Sequence, residues 1–310
     1  MMNKKYQQQL GQDVLAYIKE VESVSPVDAV SLTVEKQREV YLELSRHFHA
    51  GHPEGISTID SIIKAPEQSI PIRHYQSAKQ PAKAHIIYYH GGGFVIGNLD
   101  SHDDVCAEFC DQTGFEVTAV DYRLSPENTH PAAFNDALAA FEHIAATTDL
   151  PIMLVGDSAG ATLAAAVAHA TRQHDVKPVG QVLIYPALGG DMTRGSYLEY
   201  ADAPMLTTDD MVFYYQAISG GSEMSHDPTF LPLMDTDYSG LPLTYIFTAQ
   251  CDPLRDDGRD YQQRILAAGG RVEWVDEMGL VHGYLRARHS VECARDSFGR
   301  MVAALLSALP

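Results

Sequence analysis

One serine stands between two glycines where an apolar strand is predicted to turn directly into a helix. The segment is IMLVGDSAGATLAAA, residues 152–166. Its four apolar starting residues are typical of a parallel strand buried on both faces, and the alanine-rich stretch 161–170 predicts a helix. So tight a turn would strain the backbone of Ser158, and side chains two positions away would collide, which explains Gly156 and Gly160. The predicted result is a nucleophilic hydroxyl held clear of the sheet beside the N–H groups of a helix N-terminus.

A second glycine-rich stretch lies upstream. The sequence YYHGGGFVIGN covers residues 88–98 and follows an apolar run. Consecutive glycines lose much backbone entropy on folding, so their presence predicts a loop whose bare N–H groups approach a ligand oxygen. Acyl transfer needs such donors, because the carbonyl oxygen of the substrate becomes anionic in the tetrahedral intermediate. Neither G-K-[ST] nor G-x-G-x-x-G follows, so a nucleotide site is not expected.

A nucleophilic serine also needs a base, and the base needs an orienting carboxylate. In a strand–serine–helix architecture the chain order is serine, acid, histidine. His282 lies in GLVHGY, directly after the last predicted strand, where a catalytic loop is expected. By contrast, His226 precedes the penultimate strand, and His289 falls within the predicted C-terminal helix. The sequence therefore favours His282 as the base.

The orienting carboxylate has several candidates. Asp252 comes directly after a predicted strand in YIFTAQCDPLRDDG and is the preferred acid. Asp256 and Asp257 are interpreted as first-turn helix residues that the helix dipole stabilises. Asp276 and Glu277 lie close to His282 along the chain, which is not the usual arrangement, but they remain alternatives.

The elements that must position these residues alternate along the chain. From AHIIYYH onward, predicted strands are separated by helices at 102–112, 131–146, 161–174 and 257–268. This alternation predicts an α/β fold with a mostly parallel sheet and helices on both faces. The eight predicted strands are TIDSIIKA, IPIRHYQ, AHIIYYH, FEVTAVDY, IMLVG, GQVLIYP, LTYIFTA and RVEWVDEM.

Two regions lack this alternation. The first fifty residues read as two amphipathic helices, and the stretch between Pro186 and Leu241 shows no clear strand. The apolar faces of the two helices are predicted to hold Leu10, Val14, Ile18 and Val21, and then Val40, Leu44 and Phe48. The second region is rich in aromatic residues that either pack between helices or line a pocket, namely Tyr197, Tyr200, Phe213, Tyr214 and Tyr215.

Composition narrows the class of protein. The 310 residues include 41 acidic and 22 basic side chains, for a net charge of −19, which argues against nucleic acid or an anionic membrane as partner. The N-terminus lacks the apolar stretch of a signal peptide, and no run of about eighteen apolar residues predicts a membrane span. The four cysteines form no C-x-x-C pair, and Cys106 and Cys110 are expected on one buried helix face. A reducing, cytoplasmic location fits these features.

Three histidines near the end of the second predicted helix raise the question of a metal site. His47, His49 and His52 lie within six positions of one another. They have no carboxylate or cysteine at ligand spacing along the sequence, so a metal site is not expected there.

Five motifs together resemble one protein family. The chain is similar to bacterial members of the hormone-sensitive-lipase family of α/β-hydrolases, close to acetyl esterases and short-chain carboxylesterases. The resemblance extends from about residue 55 to the end. The motifs are HGGG at 90–93, DYRLSPE at 121–127, GDSAG at 156–160, DPLRDDG at 252–258 and HGY at 282–284.

The resemblance implies a carboxylic ester hydrolase without metal or organic cofactor. It assigns Ser158 as nucleophile, Asp252 as acid and His282 as base. It also implies a small-molecule ester as substrate, short acyl chains, and a monomer or homodimer. The further residues it implies are an oxyanion hole from the N–H groups of Gly92, Gly93 and Ala159, and supporting roles for His90, Gly91, Gly156, Asp157 and Gly160.

The same resemblance implies one α/β-hydrolase domain over residues 1–310, with a helical cap from 1–50 and 187–241. Two such cap pieces over one serine suggest a closed pocket of limited depth. The chain departs from the family pattern at Ala161, where a further glycine is usual, and at Tyr284, where phenylalanine is usual. These departures leave substrate preference open. An amidase or lactonase would use the same residues, and a non-catalytic binding protein is disfavoured because the serine and histidine are both present.

Overall fold

The computed structural model describes residues 3–26, 28–65, 68–222 and 226–309. Within these ranges, eight strands form a single sheet, as the alternating pattern predicts. The strands are β1 Ile56–Lys64, β2 Ser69–Ser77, β3 His85–Tyr89, β4 Glu116–Val120, β5 Ile152–Asp157, β6 Gly180–Ile184, β7 Leu243–Cys251 and β8 Val272–Val281.

The sheet is mostly parallel. Its strand order is β1-β2-β4-β3-β5-β6-β7-β8, and the pairs from β4 to β8 are all parallel. Only β2 runs against its neighbours β1 and β4 in this described sheet. Every residue of the central strands β3, β5 and β6 is buried, because helices cover a parallel sheet on both faces. The α/β-hydrolase architecture predicted from the sequence is thereby confirmed.

Helices fill the connections between strands. The helices predicted at 102–112, 131–146 and 257–268 are present, with ends that differ by one or two residues. The helix after Ser158 begins and ends earlier than the predicted 161–174. The helices are α1 Lys4–Gln9, α2 Gln12–Val24, α3 Val34–Phe48, α4 Asp103–Thr113, α5 Ala132–Thr147, α6 Ala159–Ala170, α7 Ser196–Glu199, α8 Thr208–Ser219, α9 Arg255–Ala267 and α10 Glu292–Ser307. Short 3-10 turns lie at Ala29–Ser31, Leu99–His102, Pro232–Met234 and Tyr284–Ala287.

Two predicted helix boundaries were wrong. The first predicted helix is divided into α1 and α2, because Gly11 has an extended ψ of 160° and caps α2. Leu10 therefore lies between the helices, yet it stays buried in the same cluster as Val14 and Ile18. His289 lies before α10 and not within it, since Val291 is extended and the helix starts at the following residue.

The core is divided by the sheet into two apolar layers. One layer contains α2, α4 and α10. The rings of Phe109 on α4 and Phe298 on α10 pack at a tilt of 39°, with centroids 4.6 Å apart. The other layer packs α5, α6 and α9 against the opposite face. Cys106 and Cys110 are both buried on α4, as their spacing predicts, and no thiol among the described residues forms a disulfide.

A large cavity lies at the carboxyl ends of the central strands. Its volume is about 1090 Å³, slightly above the usual range for small-molecule sites. The limited depth expected from the sequence stays a prediction. Side chains from α2, α3 and the segment 187–241 line it together with the loops after β3 and β5. Residues 1, 2, 27 and 223–225 of the expected cap ranges, and residue 310, lie outside the described residues. No helix in the described part of the chain is long and apolar enough to cross a membrane.

Candidate active site

The turn between β5 and α6 has the strained geometry that its sequence predicts. Ser158 is the single residue between strand and helix, with φ 52° and ψ −120°. A Cβ atom on Gly156 would lie 2.4 Å from the backbone carbonyl of Gly160, and one on Gly160 would lie 1.9 Å from the carbonyl oxygen of Tyr89. The backbone N–H of Ser158 donates to Ile184 on β6 at 2.8 Å. Both glycines are therefore required by close backbone packing, and the turn is tied to the neighbouring strand.

The structure brings the three predicted polar residues into one hydrogen-bonded line. His282 Nε2 lies 3.0 Å from Ser158 Oγ, and His282 Nδ1 lies 2.8 Å from Asp252 Oδ2. Strand pairing explains the second contact. Cys251 at the end of β7 is in register with Val281 at the end of β8. The residues that follow them, Asp252 and His282, therefore lie side by side at the carboxyl edge of the sheet.

The carboxylate in this line is fully buried. Asp252 has no exposed surface, and its second oxygen accepts the backbone N–H of Leu254 at 2.9 Å. That hydrogen bond fixes the carboxylate, so Oδ2 points at the imidazole. Such an arrangement can select one imidazole tautomer and stabilise an imidazolium during proton transfer.

The alternative acids and bases have other partners. Glu277 pairs with Arg300 on α10, and Asp276 sits on β8, where burial raises the pKa of its carboxyl group. His289 contacts Glu108 at 2.7 Å, and His226 is exposed. None of these described side chains belongs to the Ser158 line.

The helix-dipole interpretation of Asp256 and Asp257 was incomplete. Both lie in the first turn of α9, as expected, but their carboxylates bind backbone groups of the segment after β6. One oxygen of Asp257 accepts the N–H groups of residues 188–190 at 2.8, 3.1 and 3.2 Å. Asp256 accepts the N–H of Ser196 at 3.1 Å. These aspartates therefore anchor the 187–241 segment to α9.

The glycine loop after β3 faces Ser158. Gly92 and Gly93 have φ values of 124° and 59°, and a Cβ on either would overlap Ile96 or the ring of Tyr214. Both glycines line the cavity together with Ala159. Within the described residues, the N–H groups of these three residues have no acceptor in the protein. They are therefore available to an oxygen atom of a ligand.

Asp157 fixes the glycine loop through a hydrogen bond to its backbone. Its Oδ1 accepts hydrogen bonds from the N–H of Gly91 and the hydroxyl of Tyr88, both at 2.8 Å. Burial opposes the charged form of Asp157, but His102 and these hydrogen bonds outweigh it and lower the pKa of the carboxyl group. A Cβ on Gly91 would lie 2.4 Å from the Asp157 carboxylate, so this glycine permits the close approach.

His90 supports the same loop from its other side. Its Nδ1 donates to the carbonyl of Gly91 at 2.8 Å, and its ring stacks on Tyr122 with centroids 4.3 Å apart. Burial and the nearby His102 lower the pKa of His90 to about 4. The ring is therefore neutral near pH 7 and stays in its hydrogen-bonded position.

Sequence reasoning missed three residues at this site. His102 Nε2 lies 3.3 Å from the Asp157 carboxylate, and the Tyr185 ring lies 4.7 Å from the His282 ring. Arg286 lines the cavity four residues after His282. A usable signal exists for Tyr185, which follows β6 at the carboxyl edge of the sheet. Of the aromatic residues expected in the insertion, Tyr214 and Tyr215 line the cavity, whereas Tyr197, Tyr200 and Phe213 do not.

The histidines at the end of α3 do have a carboxylate neighbour, contrary to the expectation from spacing. Asp103 Oδ2 lies 3.1 Å from His49 Nε2 and within hydrogen-bond distance of His52 Nε2. The N–H of Gly51 donates to His49 Nδ1, so His49 Nε2 carries the proton and donates to the aspartate. His47 instead contacts Glu20 on α2. This cluster links the end of α3 to α4.

Comparison with known proteins shows which family this chain belongs to. The family model described as alpha/beta hydrolase fold matches residues 86–286. The carboxylesterase NlhH of Mycobacterium tuberculosis is 40% identical over 235 residues, which cover 72% of this chain and 73% of the relative. The ethyl acetate hydrolase of Pseudomonas putida is 30% identical, with 96% and 98% of the two chains covered. The crystal structure of a hyperthermophilic esterase from the archaeon Pyrobaculum calidifontis superposes with a TM-score of 0.88 at 30% identity, covering 96% of this chain and 98% of that one.

The matched range contains the glycine loop, the strained serine turn and the residues that follow β7 and β8. The chain therefore belongs to the α/β-hydrolase fold family and, by its motifs, to the hormone-sensitive-lipase type within it.

Proposed function

We propose that this protein is a serine carboxylesterase that hydrolyses short-acyl carboxylic esters through an acyl-enzyme intermediate. The observation that carries the proposal is the line from Ser158 Oγ through His282 to Asp252, with distances of 3.0 and 2.8 Å. The relatives named carboxylesterase and ethyl acetate hydrolase support the ester as substrate class.

In the acylation step, Ser158 Oγ attacks the ester carbonyl carbon and transfers its proton to His282 Nε2. The carbonyl oxygen becomes an oxyanion, and the N–H groups of Gly92, Gly93 and Ala159 are positioned to donate to it. The carbon–oxygen bond to the alcohol then breaks, and His282 returns the proton to the departing alkoxide. The products of this step are a free alcohol and an acylated Ser158.

Deacylation repeats the same proton path with water. His282 Nε2 takes a proton from a water molecule as its oxygen attacks the acyl carbon. The tetrahedral intermediate uses the same three N–H groups, and its collapse returns the proton to Ser158 Oγ. One ester and one water give one acid and one alcohol, and the enzyme is regenerated.

We also propose that residues 1–50 and 187–241 form a cap of the single domain 1–310. Side chains of both ranges line the cavity, among them Tyr41 and Leu44 of α3 and Tyr214 of α8. Tyr214 lies directly over Gly93, where it restricts the space beside the glycine loop. A cap in this position excludes water from the oxyanion site, which strengthens its hydrogen bonds.

The reaction class is tested with matched substrates on the purified protein. A series of 4-nitrophenyl esters from acetyl upward, 4-nitroacetanilide and a γ-lactone are assayed with the wild type and Ser158→Ala. We expect hydrolysis of the esters by the wild type and none by the variant. Faster cleavage of the anilide or lactone than of every ester would make the protein an amidase or lactonase. Absence of any hydrolysis by folded wild type would refute the enzyme assignment.

A further inference from the structure

A guanidinium group in the cavity has no carboxylate partner among the residues that the structure describes. Arg286 lines the same cavity as Ser158, and its Nη1 donates to Ser45 Oγ at 2.9 Å. The guanidinium carbon lies 5.0 Å from the centroid of the Tyr41 ring. Among the described residues, no carboxylate oxygen lies within the 4.0 Å ion-pair distance of Arg286. An arginine has five N–H donors, so most of them are left for another acceptor.

The nearest carboxylates are occupied by a different arginine. Arg288 is buried and donates to Asp104 at 2.6 Å and to both oxygens of Glu108 at 2.7 and 3.0 Å. Asp104 lines the cavity, but Arg288 and the backbone N–H of Ala50 hold its Oδ2. Both carboxylates are thus held by Arg288, and Asp104 acts on Arg286 only at longer range, without an ion pair.

The other acidic groups lining the cavity are engaged as well. Asp157 accepts from the glycine loop and from Tyr88. Asp210 caps α8 through the N–H of Thr207, and Asp202 accepts from Asn3 and Tyr6. Lys19 and Glu22 are exposed residues of α2 at the rim. Among the described residues of the inner wall, Arg288 is paired with carboxylates, so Arg286 is the arginine left to meet a bound molecule.

The position of Arg286 along the chain keeps it close to the reacting atoms. It lies on the 3-10 turn Tyr284–Ala287, and its backbone N–H donates to the carbonyl of Gly283. It is four positions after His282, so the Cα atoms of the two residues are at most about 14 Å apart. An ester held at Ser158 can therefore extend a second functional group toward the guanidinium.

We propose that Arg286 binds a carboxylate of the substrate, so the preferred esters carry a negative charge on the acyl or the alcohol part. The inference rests on the proposed ester hydrolysis and narrows its substrate class. A guanidinium presents a planar fork of donors that matches a carboxylate, and such charge-assisted bonds gain strength in a desolvated cavity. Arg286 is then a specificity-determining residue that takes no part in proton transfer.

The competing explanation is that Arg286 serves only to join α3 to the 3-10 turn through Ser45 and Tyr41. A purely structural role would lower the rates of charged and neutral esters by the same factor. The decisive readout is therefore the ratio of kcat/KM values for an anionic ester and its neutral isostere, measured for each variant separately.

Two substrate pairs place the charge on opposite sides of the ester bond. Monoethyl succinate and ethyl levulinate differ in the acyl part, and acetoxyacetate and acetoxyacetone differ in the alcohol part. Acid release is followed by pH-stat for the wild type and for Arg286→Lys, Arg286→Gln and Arg286→Met. Arg38→Met is the matched control. Arg38 also joins α3 to the core, through Glu127 and Val95, but it lies outside the cavity lining.

We expect the wild type to prefer the anionic ester in at least one pair. The ratio should fall by about tenfold to a hundredfold in Arg286→Met and Arg286→Gln, and less in Arg286→Lys. Arg38→Met should keep the wild-type ratio. An unchanged ratio in folded Arg286 variants overturns the proposal while leaving ester hydrolysis intact. If those variants do not fold, the wild type decides, since a ratio below one in both pairs also overturns it. Absence of hydrolysis for all four esters counts against both proposals.

Discussion

At the residue scale, the chemistry depends on a serine whose backbone is held in an unfavourable conformation. A positive φ for a non-glycine residue costs on the order of 1–3 kcal/mol, and packing of the surrounding strand and helix maintains it. This conformation places the Ser158 hydroxyl 3.0 Å from His282 Nε2. Removing the hydroxyl should therefore abolish the reaction and leave the packing around residue 158 unchanged.

We expect Ser158→Ala to lose about a million-fold in turnover, because removal of a catalytic serine in unrelated hydrolases has that effect. The fold should persist, since the change removes one oxygen from a partly exposed side chain. Turnover of a short-chain 4-nitrophenyl ester and the circular dichroism spectrum test this. Retention of more than a few per cent of the activity in a folded variant contradicts the nucleophile assignment.

Replacing each aspartate with the isosteric asparagine distinguishes the catalytic acid from the other carboxylates. Asp252→Asn should lose about ten thousand-fold in kcat, because the amide stabilises the wrong imidazole tautomer. Asp256→Asn, Asp257→Asn and Asp276→Asn should each stay within about tenfold, since none contacts the imidazole. Turnover and melting temperature of the four variants are compared. Near wild-type activity of Asp252→Asn, with collapse of folded Asp276→Asn, would show that the acid is misassigned.

At the element scale, the junction between strand β5 and helix α6 depends on backbone contact. Gly160 belongs to α6, and the carbonyl of Tyr89 occupies the place where its side chain would be. Gly299 in α10 has open space at the same position. These two helical glycines therefore allow a matched comparison of packing with intrinsic propensity.

Gly160→Ala should lower the free energy of unfolding by at least ~3 kcal/mol and reduce turnover, because strand and helix must separate. Gly299→Ala should raise it by up to ~1 kcal/mol, because alanine favours the helix. Chemical denaturation of both variants is the measurement. A Gly160→Ala protein as stable as the wild type would show that the junction tolerates a wider turn.

A buried carboxylate at the start of α9 gives this region a pH dependence. Burial raises the pKa of Asp257 from 3.8 to about 7, against the opposing effect of the N–H groups of Leu188 and Gly190. The folded state thus holds this proton more tightly than the unfolded chain. Its contribution to stability is therefore greatest at low pH and decreases as pH rises from about 4 through 7.

Asp257→Asn removes this titration. The variant should gain stability relative to the wild type as pH rises from about 5 to about 9, by about 3 kcal/mol over that range. Melting temperatures of both proteins across the range provide the test. A difference that stays constant or shrinks with pH would mean that the carboxylate is already ionised in the folded state below neutral pH.

At the scale of the whole molecule, helices from the start of the chain and the 187–241 segment enclose one cavity over the serine. The cavity has a volume of about 1090 Å³, and residues of several helices and loops line it. The ring of Tyr214 covers the glycine loop. Tyr214 therefore limits the space beside Gly93 in this cavity.

We expect acetyl to about hexanoyl esters to be hydrolysed faster than long-chain, emulsified lipids, because an aromatic wall limits the acyl chain near the serine. Values of kcat/KM for 4-nitrophenyl esters of rising acyl length provide the measurement. A rate maximum at twelve carbons or beyond would contradict the short-chain proposal.

The sequence by itself determined the features that depend on neighbouring residues. The glycines around Ser158, the apolar central strands and the positions of Asp252 and His282 after strand ends are local patterns, and each lies where it was predicted. Parallel strands bring their carboxyl ends to one edge, so a candidate triad could be chosen before any contact was known.

Contacts between distant segments were decided by tertiary structure alone. Asp103 meets the histidines at the end of α3, and Asp257 binds the turn after β6. Arg286 lies beside α3, and no carboxylate of the described ranges pairs with it. Periodicity and spacing describe which face of an element is apolar, but not which polar side chains of different elements meet there. The residues proposed to do the chemistry could therefore be identified from the sequence, whereas the contacts behind the proposed role of Arg286 exist only in the folded chain.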